Sequence, residues 1–89
     1  MNVPTSTTVA VNEFIHKIQW VHEVDYGDFK RKVGLYLQRL ESKVPQGQEG
    51  QKLQLVIDSL KQSVIYKPSG DLEATRLEVV EAMQSWLNQ

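Results

Sequence analysis

Apolar residues recur at three- and four-residue spacing along nearly the whole chain, in four stretches separated by Gly, Pro and acidic breaks. That period matches the 3.6-residue turn of an α-helix rather than the two-residue alternation of a half-buried strand. Val11, Phe14, Ile15, Ile18 and Val21 share one sector and predict a first helix over about Val9–Val24. Asp25–Tyr26–Gly27–Asp28 interrupts it, and Asp28 is placed to accept the free N–H groups of a second helix, Asp28–Lys43. Phe29, Val33, Tyr36, Leu37, Leu40 and Val44 form that helix's stripe, with Gly34 inside it at a cost of about 1 kcal/mol against Ala.

Pro45–Gln46–Gly47–Gln48–Glu49–Gly50 reads as a loop, because Pro45 breaks the helical ladder and disfavours helical geometry at Val44. A third helix follows over Gln51–Ile65 with Leu53, Val56, Ile57, Leu60 and Val64 on one side. Its β-prone end, Val64–Ile65–Tyr66, admits a short extended piece. Lys67–Pro68–Ser69–Gly70 ends it, and Asp71 or Ser69 caps a fourth helix, Asp71–Leu87. There Leu72, Val79, Val80, Met83, Trp86 and Leu87 share a face, with the Arg76 stem bridging a gap. The expectation is an all-α domain, a small dimeric bundle of four amphipathic helices over residues 9–89, behind a flexible tail, Met1–Thr8.

The residues outside these stripes bear on function. Trp20 projects almost opposite the Phe14–Ile18 sector, with Val24 a turn later. Leu35 lies among Arg31, Lys32 and Arg39, while Leu55 and Leu77 point away from the third and fourth stripes. A chain of 89 residues has little interior in which to bury both sides of its helices. Two readings stay open: a second apolar surface covered by another polypeptide, or a second face packed inside the same subunit. On the first reading Trp20, Val24, Leu35, Leu55 and Leu77 form a protein interface, as in a homodimer.

Charge is nearly balanced, at a formal −1, but unevenly placed. Asp28–Val44 holds five basic and two acidic side chains, and residues 68–89 hold four acidic and one basic. Such elements suit each other as partners, within or between copies. Arg31, Lys32, Arg39 and Lys43 make a basic patch on the second helix, which keeps DNA as an alternative partner. A general nucleic-acid binder usually carries a larger basic surplus, and this helix lacks a base-reading cluster at its start.

No catalytic pattern emerges. The absence of Cys removes disulfides, thiolate zinc sites, iron–sulfur clusters and thiol catalysis. His16 and His22 lie about 240° apart around a helix, so they cannot share one metal from one face. Glu13-x-x-His16 has the spacing of a di-iron ligand pair, but such bundles need two of these and two further Glu. The five Gly match neither a dinucleotide fingerprint nor a P-loop. No enzyme activity, cofactor or metal is expected. Strictly apolar runs reach three residues, and the first eight residues lack a basic n-region and apolar h-region, so the expected place is the cytoplasm rather than a membrane.

Between Leu37 and Met83 the chain has a helix, a Gly-containing loop, the Lys-led apolar helix Lys52–Leu53–Gln54–Leu55–Val56–Ile57–Asp58–Ser59–Leu60 and a final amphipathic helix. This plan resembles the small all-helical connector and biofilm-regulator proteins of enteric bacteria. The resemblance implies a bacterial regulatory adaptor that homodimerises and binds regulatory proteins, with DNA binding in some members.

Overall fold

A computed structural model describes residues 5–22 and 25–88. The described residues form four α-helices: α1, Thr5–Gln19; α2, Tyr26–Glu41; α3, Gln48–Leu60, which widens into a π-helical turn over Lys61–Ile65; and α4, Leu72–Leu87. Neighbouring pairs are α1–α2, α2–α3, α3–α4 and α4–α1, so α1 and α3 sit diagonally, as do α2 and α4. The shape measures 38 × 22 × 20 Å. The four stripes meet in one core in which Ile18, Phe29, Leu37, Leu53, Ile57, Met83 and Trp86 are enclosed. This is the all-α bundle expected from the periodicity.

The boundaries differ where polar contacts decide them. Thr5–Thr8, expected in the tail, belong to α1; Met1–Pro4 lie outside the described residues. Thr7 is buried and its hydroxyl donates to the Lys43 carbonyl at 3.1 Å, which ties the start of α1 to the end of α2. α1 then ends at Gln19 rather than Val24. There the Arg76 guanidinium of α4 donates to the carbonyls of Ile18 and Gln19. The end of the helix leaves these carbonyls short of donors, Ile18 accepting only a 3.5 Å bond from the Val21 N–H, and a cation also suits the negative end of the helix dipole. Glu73 holds the same guanidinium from the other side, at 3.1 and 3.3 Å.

The cap of α2 is Asp25, not Asp28: its carboxylate accepts from the Asp28 N–H at 3.3 Å. The helix starts at Tyr26 because that side chain is itself buried, its hydroxyl donating to the Val64 carbonyl at 3.2 Å. Val64–Tyr66 is therefore no extended piece. The π turn bonds Tyr66 N–H to the Lys61 carbonyl, while Tyr26 donates to the Val64 carbonyl within it and Lys30 to the Lys67 carbonyl just beyond it. Gly50, expected in the loop, lies in the first turn of α3. For α4 the cap is Asp71, accepting from the Ala74 N–H at 2.9 Å.

Candidate interaction face along the first helix

The four off-stripe residues that the structure describes are all exposed: Trp20 by 60%, Leu35 by 41%, Leu55 by 69% and Leu77 by 58%. A second face packed inside the subunit does not enclose them. Val24, expected beside Trp20, lies outside the described residues.

The fold brings only some of these together. α1 is flanked by α2 on one side and α4 on the other, so its outward edge forms the centre of a three-helix face. Val9, His16 and Trp20 run along that edge at helical spacing, and Val9 is 48% exposed. The Trp20 indole lies 6.0 Å from the His16 ring and 6.3 Å edge-on from the His22 ring. The two histidines thus flank an aromatic side chain rather than converge on a common point. Among the described residues no three His, Asp or Glu groups are placed to hold a metal.

On the α2 side, a shallow depression joins Trp20 and His16 to Lys32 and Tyr36, and a second one joins Lys32 to Leu35 and Arg31. Lys32 is common to both, so Trp20 and Leu35 border one continuous surface. Tyr36 is covered by cations, with the Lys17 ammonium 5.4 Å and the Arg39 guanidinium 5.8 Å from its ring centre. Of the expected basic patch, Arg31 pairs with Asp28 at 3.3 Å, whereas Lys32, Arg39 and Lys43 are exposed and pair with no acid among the described residues.

On the α4 side, Gln84 and Asn88 line a groove with Asn12 and Ile15 of α1. Leu77 and Glu81 share the exposed stripe of α4 with Gln84 and Asn88, at four-, three- and four-residue spacing, on the side of the helix away from its buried residues. Leu55 is apart from this face, because it projects from α3, across the bundle from α1. Sequence periodicity missed Val9. Its signal was present, since a helix begun at Thr5 places Val9 at seven and eleven residues before His16 and Trp20.

Polar groups elsewhere have structural roles. The Lys61 ammonium meets the Glu41 carboxylate at 2.8 Å, and Gln54 donates to Glu41 and Asp58 at 3.1 and 3.0 Å. The Lys61 hydrogen bond holds the Glu41 carboxyl below its ordinary value against the opposing effect of burial. The same bond raises Lys61, and desolvation opposes that rise.

In comparison with known proteins, no family model matches the chain, and no curated protein or solved structure matches it. No helix among the described residues is long and apolar enough to cross a membrane.

Proposed function

We propose that this chain is a non-enzymatic regulatory or adaptor module that self-associates and presents apolar and charged helix faces to a protein partner. The carrying observation is Trp20, a large aromatic side chain 60% exposed on the outward edge of α1, on a surface continuous with Leu35. Tryptophan buries more area per side chain than almost any other residue, and interfaces draw their affinity from a few such anchors.

The test is the mass in solution by light scattering at micromolar concentration. A value near twice 10.2 kDa is expected. A second reading, duplex DNA along α2, draws on the exposed Lys32, Arg39 and Lys43, which pair with no acid among the described residues. A chain that stays a monomer but binds DNA at low salt would favour that reading and overturn self-association.

A further inference from the structure

We infer that the groove between α1 and α2 receives an acidic peptide segment of the partner protein, with an apolar side chain of that segment at the Trp20–Leu35 end and its carboxylates along Lys32, Lys17 and Arg39. This rests on the protein-partner reading proposed above and names the chemistry of that partner.

The two helices run antiparallel along the groove: Trp20 borders Lys32, Lys17 lies over Tyr36, and Thr7 donates to the Lys43 carbonyl. Lys32, Tyr36, Arg39 and Lys43 follow at four-, three- and four-residue spacing, which puts them on one edge of α2. Three depressions lie end to end between the helices. Lys17 and Tyr36 line the first together with Glu13 and Arg39, and line the second together with Trp20 and Lys32. Lys32 then leads into the third, at Leu35 and Asp28. From Asp28 to Leu40 this is about 18 Å of helix axis, the span of about six extended residues.

Lys17, Lys32, Arg39 and Lys43 pair with no acid among the described residues, and Asp28 is engaged by Arg31 at 3.3 Å. Four cations therefore stand against the single carboxylate of Glu13, in a chain whose formal charge is −1. The positive surplus belongs to this groove rather than to the molecule, so the complementary ligand is anionic along the groove.

The two ends of the groove differ, and that difference favours a peptide over a nucleic-acid strand. Trp20 and Leu35 make one end apolar, while Arg39 and Lys43 make the other cationic. A nucleic-acid strand carries evenly repeated phosphates and gains its remaining affinity by stacking bases on open aromatic rings. Tyr36, in the middle of the groove, is already covered by Lys17 and Arg39, and a phosphate would be repelled by Glu13. A peptide can place an apolar residue at Leu35, acids beside the cations and a neutral residue opposite Glu13.

The experiment is a titration with a capped synthetic peptide of about six residues, one Phe followed by glutamates, at low salt. It is followed by backbone amide shifts, with light scattering on the same samples. The shifts should saturate by millimolar peptide and lie along the facing edges of α1 and α2. Lys32→Glu and Arg39→Glu should each weaken binding roughly tenfold, and Glu13→Gln should tighten it about twofold. Lys67→Glu, on the π-turn flank of α2, changes the net charge equally and should leave binding unchanged. Leu35→Ala should weaken the Phe peptide but not its Ala counterpart; Leu35 is varied because Trp20 also carries the proposed self-association. All five residues varied are exposed, so helical circular dichroism of each variant should match the starting protein.

Shifts that do not saturate, or a Lys67→Glu effect as large as that of Lys32→Glu, overturn the inference and leave self-association standing. Tighter binding of oligothymidylate than of the peptide overturns it in favour of nucleic acid. A peptide that binds only as the dimer dissociates shows the groove to be the contact between copies, which also overturns it. Saturable binding to a chain that scatters as a monomer upholds the groove and removes self-association.

Discussion

Gly50 lies where the first turn of α3 passes over the loop that carries Pro45. A Cβ at this position would stand 1.7 Å from the Pro45 carbonyl oxygen, so no side chain fits without moving the backbone. Gly50→Ala should destabilise the protein by about 1–3 kcal/mol, read as a lower urea midpoint, despite alanine's better helix propensity. Gly47, three residues earlier, is required for another reason: its φ of 98° is a left-handed conformation that L side chains rarely adopt. The sequence marks both residues as loop punctuation but does not distinguish them, because a steric conflict with Pro45 exists only once the loop has closed. Arg76 was similarly half legible. Its stem filled the α4 stripe as expected, but its guanidinium reaches carbonyls more than fifty residues away in the chain.

At the scale of elements, the polar contact between α2 and the π turn has a definite pH signature. Glu41 titrates below its ordinary value in the folded chain, so its contribution is full above the normal glutamate range and is lost as pH falls through the lowered value. Lys61 is raised, so its contribution is full below the normal lysine range and is lost as pH rises through the raised value. Lys61→Met should cost about 0.5 kcal/mol near neutrality, since both side chains are about one-third exposed and salt screens the pair. The cost should shrink toward zero in strong acid and strong alkali, as measured by urea unfolding across pH. The helices themselves were readable from their apolar period. The start of α4 was too, at its local Asp71 cap, but the ends of α1 were not, because Thr7 and Arg76 set them through contacts with distant segments.

For the whole molecule, the consequence of the proposed pairing is that Trp20 matters to association and little to folding. Trp20→Ala should weaken the dimer by about 2 kcal/mol, roughly thirtyfold in Kd. The unfolding midpoint of the dissociated monomer should move by less than about 0.5 kcal/mol equivalent, because an exposed side chain leaves no cavity. Sedimentation across a dilution series separates the two effects. A large loss of monomer stability would instead mean that Trp20 packs within its own subunit in solution. Trp20, Leu35 and Leu77 were identifiable as outliers from the helical stripes, and the fold places Leu35 on a surface continuous with Trp20 but Leu77 on the outer side of α4. Leu55 was an equally clear outlier, yet it lies across the bundle, so the same sequence signal does not define one surface.

The sequence by itself determined the class of fold and the inward face of every helix, because a 3.6-residue apolar period can be buried only as a helix against other helices. It also marked Trp20, Leu35, Leu55 and Leu77 as apolar residues left over, though not Val9 or Tyr66. Only the tertiary structure decided where those residues lie relative to one another and which charges border them. That placement follows from the order of the helices around the core and from contacts between distant segments, neither of which leaves a periodic trace in the chain.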